Sequence, residues 1–408
     1  MEASPRHPQA SRWQRPAAEV PRDGWTAIVV GGGPAGSTTA LHLADAGCRV
    51  LMLERAAYPR DKACGDLLIP DTLAALRRAG LYDRVAAEAR SVDRALVSSP
   101  SRIEWSIPGE FLLLRRERFD ELLAEAASER GAVVARGRVQ RVRSSDDGVD
   151  VHVAEIEEPF RARFVVLATG SDVSLLDELG MLQQPAPTAV AVRAYVRSPV
   201  RLNELFISFD RAIVPGYAWV FPLPGLECNV GVGVLHDPDE PARYDLRSLF
   251  DTFCREVPAV QRLIDEAERV GPLRGARLRC GLRGARANGG NIVAVGEQIS
   301  TTYPFTGEGI GKAMETGEMA AAAIAAAAQG RPDALAAYST DVEASLRPRY
   351  EGYAAAQRWL SRPWLNDLVS WRIRKGRFLQ SAAAGMVAET VDPARIFSWR
   401  GLLRSLVG

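Results

Sequence analysis

Three glycines in one short stretch, Gly31-x-Gly33-x-x-Gly36, have the spacing of a loop that wraps a diphosphate. With no Cβ in the way, the backbone turns tightly and approaches a pyrophosphate, which rests on the N–H groups opening the next helix. The flanks suit that role. Residues 27–30 are a continuous β-rich run, 37–46 read as a helix closed by Gly47, and 48–53 are a second apolar run ending at Glu54. A carboxylate at that strand end is placed to accept the hydroxyls of an adenosine ribose. The glycines alone would equally describe a structural turn. Strand, loop, helix, strand and acid together specify a dinucleotide site.

This fingerprint does not choose between a nicotinamide and a flavin. Far downstream, Val295-Gly296-Glu297 and then Pro304-Phe305-Thr306-Gly307-Glu308-Gly309-Ile310 end a strand and open another helix. The chain therefore returns to the same cofactor with a second set of helix N–H groups and a positive dipole end. The N1–C2=O edge of a reduced flavin is a suitable partner for it. Glu308 at that helix start also favours the dipole on its own account.

Other residue types offer less. Cys64, just after Lys62, is either a proton donor or thiolate if its pKa is shifted, or a buried structural cysteine; the sequence leaves both open. Tyr217, Trp219 and Phe221 alternate along one strand face, which is either core packing or, with the break at Pro222, the wall of an apolar substrate cavity. His7, His42, His152 and His236 are scattered without metal-ligand spacing, so no metal and no hydrolytic triad is assigned.

The elements that must position these residues follow from hydrophobic pattern. Helical runs fall near 71–78 and 118–128, short strands near 133–142 and 149–153, and a buried strand at 164–168. Residues 189–234 read as all β, 291–295 as a last buried strand, then a long helix to about 328 and a mostly helical remainder. The chain has 408 residues with 51 Lys+Arg against 50 Asp+Glu, a net charge of +1 that gives no reason to expect a nucleic-acid partner. Lys occurs only at 62, 312 and 375, so the many Arg reflect coding bias and a lone Arg carries little weight. Five widely spaced cysteines without a CxxC pair exclude a disulfide framework and a structural zinc site. Residues 1–24, with four prolines and no apolar core, read as a flexible tail rather than a secretory signal, and 319–328 is too short to span a bilayer. The expectation is a cytoplasmic protein.

At this point the chain resembles the geranylgeranyl-reductase-like branch of the FAD-dependent oxidoreductases that share the para-hydroxybenzoate hydroxylase fold. Matching segments, in order, are Gly31–Gly36, Tyr58-Pro-Arg-Asp-Lys-Ala-Cys-Gly-Asp66, Pro215-Gly-Tyr-Ala-Trp-Val-Phe-Pro222 and 296–309. Arg115-Arg116-x-x-Phe119-Asp120 resembles the family's Arg-x-x-Phe-Asp element, whose Arg approaches FAD. Flavin-dependent halogenases carry Trp-x-Trp-x-Ile-Pro where this chain has Tyr217 and Phe221. The resemblance covers roughly 26–328. It implies that FAD is held by Gly31, Gly33, Ala35, Gly36, Glu54, Arg55, Cys64, Gly65 and Arg116, and by Gly296, Glu297, Gly307, Glu308, Gly309 and Ile310. Two positions depart from the family. Gly296-Glu297 replaces Gly-Asp, so the ribityl contact must be re-aimed. Thr169-Gly170-Ser171 stands where relatives have an Asp-Gly element linked to nicotinamide use, which leaves NADPH or another electron donor open.

The expected fold class is α/β. A Rossmann-like FAD-binding domain (25–90, 100–180 and 280–330) is interleaved with an antiparallel β-sheet substrate domain (91–99 and 181–279), and a C-terminal helical cap (331–408) follows. The expected function is hydride transfer between flavin and a carbon–carbon bond of an apolar prenyl or polyketide-like molecule. A monooxygenase using NADPH and O2 and a non-redox cyclase-like scaffold are the alternatives. Trp359, Trp364, Trp371 and Trp399, interleaved with Arg and Lys375, make the tail either a cap with snorkelling arginines or a peripheral membrane contact. A docking face for an electron-donor protein is the remaining partner expectation.

Overall fold

A computed structural model describes residues 13–145, 147–184, 187–214, 216–235 and 244–404. The apolar runs build a nine-stranded sheet whose central order is Gln14–Pro16, Val133–Arg136, Val50–Glu54, Trp25–Val30, Phe160–Leu167, Ile292–Ala294, Asn288–Gly289. Trp25–Val30 lies parallel to both Val50–Glu54 and Phe160–Leu167, and Phe160–Leu167 is parallel to Ile292–Ala294. Both faces are covered, which is why these strands read as unbroken Val/Ile/Leu runs rather than alternating ones. Helices Pro34–Asp45 and Ile310–Ala328 pack closely on each other. Thr39 Oγ1 donates to Gly317 O at 3.2 Å, and a Cβ on Gly317 would sit 2.6 Å from Ala35 O.

The second sheet has eight strands in the order Glu268–Leu278, Ala189–Arg197, Glu227–Leu235, Tyr217–Pro222, Leu205–Ser208, Arg90–Ser98, Glu104–Leu113, Leu67–Leu68. Its period-two pattern sorts side chains to two faces. Ala218 and Val220 join the core under helices Leu246–Glu256 and Pro258–Asp265, whereas Trp219 and Phe221 face the opposite cluster. The strand Glu104–Leu113 pairs with Arg90–Ser98 in this sheet, although its residues were expected with the dinucleotide sheet. Its sequence alternates too weakly to reveal its partner, and pairing across a short turn decides it.

The N-terminal expectation needs a correction. Residues 13–24 are not a free tail: Gln14–Pro16 pairs parallel with Val133–Arg136, and Ala17 and Val20 are buried. Trp13 packs 5.2 Å from the Tyr58 ring, while Gln14 Oε1 accepts from Tyr58 N at 3.1 Å. The prolines concealed this strand, which sits at a sheet edge where Pro is tolerated. Residues 1–12, including His7, lie outside the described residues, as do Pro215 and His236.

The C-terminal segment forms helices Asp333–Leu360, Pro363–Lys375, Arg377–Val387 and Trp399–Arg404. Tyr338 OH donates to Ala294 O at 3.0 Å and Tyr350 OH to Thr301 O at 2.5 Å, tying the long helix to the dinucleotide sheet. Ser99 Oγ and Ser101 N both donate to Asp367, and Trp105 Nε1 to Ser370 Oγ at 3.2 Å, so the next helix rests on the second sheet.

Candidate active site

The strand Trp25–Val30 runs directly into the glycine loop. Gly31 has φ 104° and lies so close to Ala168 O that a Cβ would be 2.4 Å away; a Cβ on Gly36 would lie 1.8 Å from Gly31 O. The helix Pro34–Asp45 starts there with Gly33 as N-cap and no side chain on its free N–H groups. Two guanidinium groups converge on Gly33, whose Cβ would be 3.7 Å from Arg60 Nη2 and 4.0 Å from Arg116 Nη2. Both are anchored from behind by the fully buried Asp120: Arg116 doubly, at 2.6 and 2.8 Å, and Arg60 at 3.0 Å. A helix N-terminus plus two fixed Arg forks is a fit for a diphosphate. Glu54 Oε2 accepts from Gly32 N at 2.9 Å and Oε1 from Ala56 N at 3.0 Å. It thus holds the loop while still lining the cleft. Arg55 points outward, two-thirds exposed, toward Asp172.

The downstream glycines close the other side. Gly296 has φ 63°, with Ala35 packed where a Cβ would go. Glu297 Oε1 accepts from Arg279 N at 3.1 Å, and the carboxylate lies beside Gly170 at the cavity wall. Burial raises its pKa, opposed by Lys62 and Arg116. Gly307, Glu308, Gly309 and Ile310 line the same cavity at the start of helix Ile310–Ala328.

Cys64 lies beside Arg116, and burial pushes its thiol up despite that cation, so the thiol rather than the thiolate is the resting form. Its carbonyl accepts from Asn229 Nδ2 at 2.7 Å, and Asn229 Oδ1 accepts from Trp219 Nε1 at 2.9 Å. Tyr217, Trp219 and Phe221 stand in a row with ring centroids 5.7 and 6.1 Å apart. Gly65 faces Phe221, and Tyr217 OH donates to Thr306 O. Across from them Phe209 stacks on Phe305 at 5.5 Å. Val369, Ile373, Met386 and Phe397 of the C-terminal segment complete the roof. One cavity of about 890 Å³ therefore runs from the charged glycine loop into an apolar chamber.

The family described as "FAD binding domain" matches residues 25–195. The menaquinone reductase of Mycolicibacterium smegmatis is 31% identical over 72% of this chain and 75% of that protein. The digeranylgeranylglycerophospholipid reductase 2 of Methanopyrus kandleri is 30% identical over 79% of this chain and 80% of its own length. This chain belongs to the geranylgeranyl reductase-like family of FAD-dependent oxidoreductases. In fold it also matches a geranylgeranyl bacteriochlorophyll reductase-like protein of Thermoplasma acidophilum, with a TM-score of 0.73 at 21% identity over 94% of this chain and 96% of that one.

FAD is the cofactor of this oxidoreductase family member. Bound FAD supplies hydride chemistry, and the protein supplies position and charge. Several residues around it went unassigned in the sequence. Arg60 and Asp120 lay inside quoted motifs, but only the fold shows that they orient Arg116 and the loop. Asp66 is fully buried in a left-handed conformation, φ 63°, and accepts from Arg116 N, Tyr195 OH and Asn229 Nδ2 at 2.9, 2.7 and 2.8 Å. Tyr195 is itself clamped by Arg115 and Arg193, each 4.0 Å from the ring. Asn229 and Tyr195 sit on strands that meet only in the sheet, so no local pattern signals them. His42 and His152 do not line the cavity, and no group of three metal ligands occurs among the described residues.

Two carboxyls beside the cavity make stability pH-dependent. Burial, reinforced by Asp71, pushes Glu308 from 4.5 up to about 8; burial also raises Asp71 from 3.8 to about 6. Between these limits the folded protein keeps protons that the unfolded chain has released, so stability is expected to fall as pH rises. Urea midpoints measured from pH 4 to 9 should decline, and Glu308→Gln should flatten the decline between about pH 6 and 8.

Proposed function

We propose that this protein transfers hydride between FAD and a carbon–carbon double bond of a prenyl chain, acting as a reductase of a prenylated lipid or quinone. The observation that carries this reading is the continuity of the cavity. Its charged end fits a dinucleotide, and its other end is a chamber walled by Tyr217, Trp219, Phe221, Phe209 and Phe305. The relatives' names, menaquinone reductase and digeranylgeranylglycerophospholipid reductase, support a long isoprenoid as occupant. Tyr217, Trp219 and Phe221 would hold that chain, and the roof of C-terminal helices would exclude water from the reacting bond.

The test is anaerobic. FAD-loaded protein is reduced with NADPH or dithionite and mixed with menaquinone or a geranylgeranyl lipid. Reoxidation of the flavin matched by a product two mass units heavier supports the reading. Consumption of NADPH only with O2, matched by a hydroxylated product, supports the monooxygenase instead. Product formation by protein whose flavin no donor reduces would favour the scaffold.

A substrate of this kind resides in a bilayer, and the tail offers a face toward one. Trp364, Trp371, Phe378 and Trp399 are 57, 40, 45 and 59% exposed, among Arg362, Arg374, Lys375 and Arg377. Among the described residues, no helix is long and apolar enough to cross a membrane. The inner side of the same helices roofs the chamber, so docking there would place its ceiling at the lipid surface. Co-sedimentation with vesicles rich in anionic phospholipid is expected, and Trp364→Ala with Trp371→Ala and Trp399→Ala should lower binding at least tenfold.

A further inference from the structure

We propose that Glu308 is the proton donor of the reaction, and that the buried cluster of Asp71, Lys312 and Glu389 returns a proton to it from solvent. This rests on the reductase reading. Saturating a double bond needs a hydride on one carbon, which bound reduced FAD supplies, and a proton on the neighbouring carbon.

The cluster spans the wall between water and the cavity. Lys312 Nζ, with its side chain 2% exposed, lies 2.5 Å from Glu315, 2.9 Å from Glu389 and 3.7 Å from Asp71. Glu389 also accepts from Arg349 Nη1 and Tyr303 OH, each at 2.7 Å. At its outer end the cluster reaches solvent through Arg349, 41% exposed, and Glu315, 25% exposed. At its inner end it reaches the cavity through two carboxyls, Asp71 and Glu308. Asp71 is pressed against Gly311, where a Cβ would be 2.2 Å from its carboxylate.

Charge counting shows where a proton is stored. Among the described residues, the ion pairs of the carboxyls Asp71, Glu315 and Glu389 are with two cations, Lys312 and Arg349, and Glu308 lies beside them. Burying that excess of negative charge is costly, so the carboxyl with the weakest pairing keeps its proton. Glu308 makes no ion pair among the described residues; the groups facing it are Asp71, Glu389, Lys312, Thr306, Tyr217 and Tyr353. Burial and Asp71 push it up to about 8, so it is neutral at pH 7 and ready to give a proton. The other acids in the chamber are less suited. Tyr217 OH is committed to Thr306 O and burial raises it further, and Cys64 has Arg116 and Asp66 behind it, not this cluster.

In the step, the O–H bond of Glu308 breaks and the π electrons of the alkene form the new C–H bond. The hydride completes the neighbouring carbon, and the electron pair ultimately comes from the donor that reduced the flavin. Glu308 is left as a carboxylate and is reprotonated through Asp71 and the Lys312–Glu389 cluster, so each turnover takes one proton from water.

The test uses FAD-loaded protein with Glu308→Gln and Glu308→Asp. Without substrate, the wild type at pH 7 should show an infrared band of a protonated carboxyl that shifts in D2O; it should vanish in Glu308→Gln and return in Glu308→Asp. In single-turnover reoxidation by a prenyl substrate, with FAD saturating in each protein, Glu308→Gln should be at least about 100-fold slower and Glu308→Asp should recover at least about tenfold of that loss. The wild-type rate should fall above about pH 8. A Glu308→Gln protein that keeps the band, or reoxidises at the wild-type rate, overturns the proposal alone. A wild type that no prenyl substrate reoxidises overturns the reductase reading and this proposal with it.

Discussion

A Gly36→Val protein is expected to purify without flavin. The first side-chain carbon at that position would stand 1.8 Å from Gly31 O, a backbone atom that has no room to retreat because Gly31 itself lies against Ala168 O. The loop must open or the helix Pro34–Asp45 must withdraw, and either change removes N–H groups from the diphosphate position. Loss of visible flavin absorbance and of the FAD-dependent rise in melting temperature are the readouts. Glu54→Gln is the milder companion. It keeps the shape but cannot accept from both Gly32 N and Ala56 N, and it weakens the pairing with Arg60. About tenfold weaker FAD binding, ~1.4 kcal/mol, is expected from it. A fully yellow Gly36→Val protein would place the cofactor elsewhere.

Asp66→Ala is expected to cost about 3 kcal/mol or more in folding stability, because it strips the acceptor from three donors in a site without water access. Arg116 N, Tyr195 OH and Asn229 Nδ2 all converge on this carboxylate, and Asn229 in turn supports both Cys64 O and Trp219. The backbone adds to the loss, since Ala tolerates φ 63° less well than Asp or Asn. Asp66→Asn, which keeps one oxygen and the left-handed preference, should lose only about 1 kcal/mol. Denaturant midpoints measure the first effect. Near-ultraviolet circular dichroism of Trp219 reports whether the aromatic wall shifts with it. A change below about 0.5 kcal/mol in Asp66→Ala would mean that the three donors find other partners.

The dinucleotide half of the site was legible because its chemistry is local. Gly31, Gly33 and Gly36 are adjacent in sequence, and the turn they permit needs no distant residue to be recognised. The aromatic strand was legible for a similar reason, since period-two spacing puts Tyr217, Trp219 and Phe221 on one face. The supports were not. Asp120 reaches across to Arg60, Asn229 links two strands to the Cys64 loop, and Glu389 meets Lys312 from the far end of the chain. Such contacts have no period or motif; they exist only once sheet order and helix packing are fixed. The strand at Gln14–Pro16 was missed for the opposite reason, because proline content outweighed the apolar Trp13, Ala17 and Val20 around it.

The sheet order also bears on how the protein is made. Phe160–Leu167 waits for Ile292–Ala294 to pair with its open edge, and the glycine loop waits for helix Ile310–Ala328 to lean on Pro34–Asp45. During translation, the first half of the nucleotide cleft therefore leaves the ribosome long before the second. Until then it carries an unpaired parallel strand edge, the kind of surface that chaperones shield. A dinucleotide gripped from both ends therefore finds its complete cleft only after helix Ile310–Ala328 has been made.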